Sequence, residues 1–392
     1  MGKQTDLIEG NIFKALLVFA VPLLIGNLFQ QLYNTADSYV VGNFVDTNAL
    51  AAVGASASVI QMLVGFFMGL SVGAGVVIAQ YFGAGQKEKM SQAVHSALAL
   101  TVLLSALFTV AGIALTRPLL RAIGVPQEVL PHSTLYLTIY FAGITFLLFY
   151  NMGSGILRAI GNSRDPLIYL AVASVLNVIL DVLLVCVARL GVAGVALGTM
   201  IAQAVSAYLV MRQLIRTSEA YRVEMKKIRF HREMIRQILM VGLPAALQQS
   251  ITAFSNVVVQ SYINSFGTAA IAGYSTTIRI DGFLQLVLQS FNMTITTFVG
   301  QNIGARKTER VKQGIFIAWV MCSAIILAGS VWMNREGALL VSLFTDDAAV
   351  ITNGAAMLKM FSYAYWSLPV VQILSGALRG AGKSSIPMFF ML

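Results

Sequence analysis

Charge is what this sequence has least of: 11% of its 392 residues are Asp, Glu, Lys or Arg, where a soluble domain carries about a quarter. Catalytic signatures are missing as well. There is no H-E-x-x-H, no phosphate-binding P-loop and no cluster of metal ligands, so neither proteolysis nor ATP hydrolysis finds support. The two cysteines, Cys186 and Cys322, lie in apolar runs and read as small hydrophobes rather than as a disulfide or a metal site. Gly69-Leu70-Ser71-Val72-Gly73 fits G-x-S-x-G, but a nucleophile elbow needs a strand-to-helix turn, and this copy sits inside an apolar helical run. An enzyme is not expected, and no cofactor is implied. A cleavable leader is not expected: the first apolar run is too long for one and reads as a retained membrane helix.

What the chain does have is hydrophobicity, 57% of residues with a mean hydropathy of +0.78. Apolar runs long enough to cross a bilayer of ~30 Å recur along its whole length. The pattern predicts membrane helices at 14–43, 50–82, 93–115, 133–157, 166–187, 192–215, 237–263, 269–299, 313–333 and 353–378, with an eleventh starting near Ile386. A basic stretch, 216–236, divides a first lobe (1–215) from a second (237–392). It is either a surface amphipathic helix on anionic lipid or a plain solvated linker. With the N-terminus inside, the outer side receives only Arg117, Arg121, Arg189 and Arg335, while Arg279 and Lys359 stay within helices. All other Lys and Arg, Arg158 and Arg379 among them, fall on the cytoplasmic side. This positive-inside bias predicts a multi-pass protein of a bacterial plasma (inner) membrane with a cytoplasmic N-terminus. It also accounts for the net charge of +10 without any nucleic acid.

The lobes repeat one another. At an offset of 221 residues, Ser154-Gly155-Ile156-Leu157-Arg158 meets Ser375-Gly376-Ala377-Leu378-Arg379, and the match runs on through Gly161/Gly382, Ser163/Ser384 and Pro166/Pro387. Gln80, Gly83 and Ala84 meet Gln301, Gly304 and Ala305. An even number of helices per unit makes the repeats parallel, an arrangement of alternating-access transporters with the substrate cavity between halves. The expected fold is an all-α membrane protein of two parallel six-helix repeats. By the same offset the second repeat stops about two helices early, so the sequence is either a fragment or a ten-helix variant.

Polar residues inside these helices mark the chemistry. Asn27, Gln30, Gln31, Asn34 and Asp37 form one stripe on the first helix, which must face protein or water. Gln249, Thr252, Asn256 and Gln260 repeat it on the seventh, where Val259 replaces the acid. Asp181 lies one turn from Asn177, on the same face. A carboxylate at membrane depth costs roughly 2.5–3.5 kcal/mol, which favours a function for Asp37 and Asp181 over mere packing. Both lie in the outer half of the membrane. Arg279 and Asp281 are two residues apart on the eighth helix, so they point to different sides and do not simply neutralise each other. Pro22 removes a backbone hydrogen bond and gives the first helix a bend point, either a hinge or a static kink. Gly65, Gly69 and Gly73 recur every four residues, a spacing for close helix packing.

Through Pro22, Asp37, Gln80-Tyr81-Phe82-Gly83-Ala84, Leu157-Arg158-Ala159-Ile160-Gly161 and Asn177-x-x-x-Asp181, the chain resembles the multidrug and toxic compound extrusion (MATE) family over essentially its whole length. The resemblance implies a twelve-helix fold and cation-coupled export of amphipathic or cationic organic compounds by a monomer in the bilayer. It implies that H⁺ or Na⁺ binds at Asp37, Asn177 and Asp181, with Tyr136 and Thr199 beside them. It also implies that the first helix bends at Pro22. The substrate cavity would lie between Asn27, Gln30, Gln31 and Asn34 on one side and Gln249, Thr252, Asn256, Arg279 and Asp281 on the other. The chain departs from the branch that carries further acids in the seventh and tenth helices: here the seventh offers Gln248 and Gln249. Two other readings stay open. A lipid-linked glycan flippase of the same superfold would favour a strongly cationic cavity, and a non-transporting receptor or scaffold would need no buried acids.

Overall fold

A chain that crosses hydrocarbon must satisfy its backbone groups internally, and helices do so within one segment. The computed structural model describes residues 5–45 and 47–391 and is helical from end to end, with no strand among the described residues; the side chain of Asn34 lies outside the described residues. The helices are α1 (Ile12–Phe44), α2 (Thr47–Gly83), α3 (Lys87–Ala122), α4 (Leu130–Ala159), α5 (Arg164–Asp181), α6 (Val192–Arg216), α7 (Arg232–Ile263), α8 (Thr268–Gly304), α9 (Thr308–Ser342), α10 (Ala348–Ala364), α11 (Leu368–Gly380) and α12 (Ser385–Met391). Seven of the spans, in α1 to α6 and α9, are long and apolar enough to cross a membrane by length and composition. The amides and charged groups along α7 and α8 dilute their hydropathy, and α10 and α11 are each too short.

The expected tenth helix, 353–378, is in fact two. The chain turns at Tyr365–Ser367 between α10 and α11, with Pro369 in the first turn of α11. Proline has no N–H to donate and its ring crowds the carbonyl four residues back, so the apolar run continues while the helix does not. Helices α3 and α9 also run several residues past their expected ends, α9 with a non-helical kink at Glu336.

Two large cores form, and the first turns of α1 and α7 exchange places between them. Leu16, Phe19 and Leu23 of α1 pack with Ile280, Phe291 and Ile373 of the second half, while Met234 and Ile238 of α7 pack with α2, α3 and α4. Farther along α1, Val40 and Val41 join Tyr136, Val185 and Val192 of the first half. Pro22 lies within the part of α1 that packs on the second half, since Leu23 belongs to that core and Asn27 still bonds Ser290. The glycine spacing on α2 does what it suggested: a Cβ on Gly69 or Gly73 would run into the α7 backbone at Ala246, or at Ile238 and Gly242.

Where the halves meet at the basic end, contacts come in pairs separated by 221 residues. Gln80 donates through Nε2 to the Gly380 carbonyl (2.9 Å) and Gln301 donates through Nε2 to the Ala159 carbonyl (2.7 Å). A Cβ on Gly83 would strike the carbonyl of Gln301, and one on Gly304 that of Gln80. The N-terminal segment crosses the same seam: Thr5 donates its N–H to the Gly161 carbonyl (2.9 Å), and Arg310 donates to the carbonyls of Leu7, Glu9 and Gly10.

The connection from α6 to α7 is not an amphipathic helix. It is an extended strap with a single 3₁₀ turn at Met225–Lys227, held by buried Tyr221 and Val223. His95 Nδ1 faces the Ser91 carbonyl (2.7 Å); it must donate there, which leaves Nε2 to accept the Glu224 N–H at 3.0 Å. Ser96 donates to His231 Nδ1 or accepts from it (3.1 Å). His95→Ala orphans the Glu224 N–H at a cost of about 1–3 kcal/mol. We expect roughly tenfold faster tryptic nicking at Arg222, Lys226 and Lys227 through local opening, read on a gel against the unchanged wild type. Acid should loosen the same strap. Burial, then the Arg229 charge, holds His231 below the ordinary histidine value of 6.5. The docked strap thus binds fewer protons than the released one, so docking is strongest above about 6.5 and is lost as pH falls through the lowered value. Nicking that does not change between pH 7.5 and 5.5 contradicts this.

Candidate functional site

Four helices bring polar side chains together where the first half has no other reason to be polar. Helix α1 supplies Tyr33 and Asp37, α4 supplies Tyr136, α5 supplies Asn177 and Asp181, and α6 supplies Thr199 and Gln203. Asp37, Asn177, Tyr136 and Thr199 are buried, and Asp181 is 0% exposed. The carboxyl of Asp37 lies against Asp181 and Thr199, and Tyr136 is close to both acids. All five residues expected at a cation site are thus neighbours.

Their bonding is incomplete. Oδ1 of Asp37, both carboxylate oxygens of Asp181, both amide atoms of Asn177 and Oγ1 of Thr199 have no hydrogen-bond partner among the described residues. The ion pairs found there all lie elsewhere, at Lys227–Glu224, Lys307–Glu9 and Lys312–Glu309. An orphaned buried polar group costs about 1–3 kcal/mol and more when charged. Two facing carboxylates also repel, unless a proton or a cation lies between them. The donor set of carboxylate, amide and hydroxyl oxygens suits a hard monovalent cation or a shared proton. Beside it, a cavity of about 10 Å³ is lined by Tyr33, Asn177, Thr199 and Gln203, room for about one water-sized particle.

Three features of this site were not anticipated from the sequence. Gly198 makes room for the acid: a Cβ there would stand 2.5 Å from Asp181 Oδ1. A π-helical stretch, Val182–Val187, follows Asp181 directly, a form found mostly as short bulges, often at functional sites. Tyr33 and Gln203 complete the wall. Each sits four residues from an expected ligand, Asp37 and Thr199, and that one-turn spacing was the available signal.

The expected substrate wall assembles only in part. A cavity of about 280 Å³ is lined by Gln248, Gln249, Thr252, Gln285, Gln289 and Arg379, among others. Gln249 and Thr252 line it, although the Thr252 hydroxyl donates back to the Gln248 carbonyl at 3.0 Å. Asn27 instead donates to Ser290 Oγ (3.2 Å), tying α1 to α8. Gln30, half-buried, and the exposed Gln31 and Asn256 do not line this cavity. Arg279 is exposed and also lies outside it. Asp281 accepts from the Tyr365 hydroxyl and from Gln285 Nε2 (3.4 Å), and the ion pairs among the described residues do not include one between it and Arg279.

Arg158 and Arg379, expected with the solvent-side charges, turn inward instead. Arg379 is 9% exposed, and Arg158 lines a cavity between the halves with Ser71, Gly155 and Asn292. The glycines one turn back let other helices approach: a Cβ on Gly155 would meet the Ser71 hydroxyl, and one on Gly376 would meet Ile295 and the Asn292 carbonyl.

Comparison with known proteins agrees with this architecture. The MatE family model matches residues 22–183 and 244–392. The chain is 30% identical over 385 residues to the "Probable multidrug resistance protein YpnP" of Bacillus subtilis, covering 97% of this chain and 85% of that protein. It is 24% identical to the "Multidrug export protein MepA" of Staphylococcus aureus, covering 96% of this chain and 83% of that one. A solved structure described as the outward-facing conformation of a multidrug resistance MATE family transporter superposes with a TM-score of 0.92. It is 24% identical, over 100% of this chain and 87% of that one. Helical architecture, two-segment match and full-length similarity together make this chain a multi-pass membrane protein that belongs to the MatE family of efflux transporters.

Proposed function

We propose that the chain exports amphipathic or cationic organic compounds from the cytoplasm by alternating access, driven by inward flow of H⁺ or Na⁺. The observation that carries this reading is the cluster of buried, partnerless oxygen atoms at Asp37, Asn177, Asp181 and Thr199. An ion entering from outside fills the cluster and relieves the repulsion between its acids. Filling then favours a conformation with weaker affinity for the exported compound, because coupling requires that ion and solute bind the two states differently. We read the halves, 1–215 and 237–392, as parallel repeats working as a monomer in a bacterial plasma membrane, with the basic end and the N-terminus cytoplasmic. Pro22 is the point about which α1 bends.

The test uses the purified chain in liposomes loaded with a fluorescent cationic dye, with pH and Na⁺ gradients imposed separately. Dye should move against its own gradient under one of the two ion gradients and stop when an ionophore collapses it. Dye movement indifferent to both gradients would sink the proposal.

A further inference from the structure

The acids of the first half leave unexplained two guanidinium groups at the basic end of the cleft. Arg158 and Arg379 hold corresponding positions, near the ends of α4 and α11. Arg379 donates through Nη2 to Asn292 Oδ1 at 2.9 Å and through Nε to the Ser375 carbonyl at 3.4 Å, both neutral acceptors. The Arg158 guanidinium makes no hydrogen bond and no ion pair with the described residues. Asn292 links the pair. It borders the small cavity that Arg158 faces, about 40 Å³, and also the larger glutamine-lined cavity that holds Arg379; Val72 and Met293 border both as well.

Arginine does not give up its proton in a protein. Two inward-facing guanidiniums with no carboxylate partner therefore hold unbalanced positive charge, which is costly in a water-poor cleft. Their complement is an oxyanion, because the planar fork of N–H donors matches two oxygens of a carboxylate, sulfonate or phosphate. The smaller cavity has room for such a group, since about 10–15 Å³ already admits a water. The larger one surrounds the rest of the molecule with amides, which donate and accept without charge. Asp281 touches this wall through Gln285 but is tied by Tyr365. Asp37 and Asp181 line neither of these two cavities, so an anionic group at the arginines meets neither.

We propose that Arg158 and Arg379 form an oxyanion subsite for the carboxylate, sulfonate or phosphate group of a transported amphiphile, apart from the cation site. The proposal rests on reading the cleft as a solute path. Its consequence is that the chain takes zwitterionic and anionic amphiphiles as well as cations.

The test is equilibrium binding of two probes that differ by one oxyanion, 1-anilinonaphthalene-8-sulfonate and N-phenyl-1-naphthylamine. The full chain is held in phosphatidylcholine nanodiscs, and empty discs serve as the blank. The native chain should prefer the sulfonate about tenfold or more, the scale of a charge-assisted fork. Arg158→Gln and Arg379→Gln should each pull that ratio toward one. Damage to the fold alone would weaken both probes together. If either Gln variant fails to fold, Arg158→Lys and Arg379→Lys keep the charge but lose the fork, and should give an intermediate ratio. Equal binding by the native chain, or a ratio that no variant changes, overturns the proposal. Two competitors separate the sources of the oxyanion. Displacement of the sulfonate by phosphatidylglycerol in the disc, but not by inorganic phosphate, would assign the site to lipid and overturn the solute assignment; retention in both supports it. No ion gradient is present, so failure of ion coupling leaves this result untouched.

Discussion

Asp181→Asn should abolish gradient-driven dye export while leaving the protein at least as stable as before. Asparagine keeps the shape of the side chain, so packing in the buried site is preserved. What it removes is one of two facing charges that have no counter-ion among the described residues. On the proposed reading the ion then loses half of its charge partners, and with them a coupling free energy of about 1–3 kcal/mol, or 5–150-fold in affinity. Asp37→Asn should do the same. Repulsion falls in both variants, so their melting temperatures in detergent should stay level or rise. Gly198→Ala separates position from charge. Its Cβ would stand 2.5 Å from Asp181 Oδ1, which displaces the carboxylate without neutralising it, and transport should fall here too. Ion-driven export at the wild-type rate in all three variants would remove the acids from the coupling mechanism.

Gly83→Val and Gly304→Val should force the two halves apart at the basic end. In each case the new side chain meets backbone of the other half, the carbonyl of Gln301 or of Gln80. Backbone cannot swing aside as a flexible side chain would, so the clash is relieved by moving a helix. Overpacking of this kind costs typically 1–3 kcal/mol and occasionally more, which is up to about a hundredfold in a two-state equilibrium. The hydrogen bonds from Gln80 to Gly380 and from Gln301 to Ala159 would break with the same movement. Spin labels at the exposed Lys87 and Thr308, measured by double electron–electron resonance, should report a longer distance in both variants. An unchanged distance distribution would show that the seam is not held by these glycines.

Some of this was legible because it is local. A proline in the first helix, acids inside apolar runs and a stripe of glycines each carry their meaning in their own segment. Asp37, Asn177 and Asp181 stood out since charge and amide groups are expensive at membrane depth wherever the helix happens to pack. Tyr33 and Gln203 were within reach of the same reasoning, one turn from residues already singled out. Gly198 was not: a glycine reveals the neighbour it makes room for only once α5 and α6 are side by side. The break between α10 and α11 was masked by unbroken hydrophobicity, which measures transfer from water and is blind to a missing N–H.

Arg158 and Arg379 show the limit most sharply. By position they belong to the basic end, and a sum over Lys and Arg counts them there. Their direction depends on which helix lies across the cleft, and that is a property of packing.

The sequence by itself determined that this chain is a membrane-spanning helical protein with a repeated plan and a polar, acid-bearing first half, because the costs of burying charge and of leaving backbone unsatisfied act residue by residue. Only the tertiary structure decided that the first turns of α1 and α7 are exchanged between cores, that five separated side chains close into one under-bonded cluster, and that two guanidiniums face the cleft. Those outcomes depend on distances between helices, which no single segment contains.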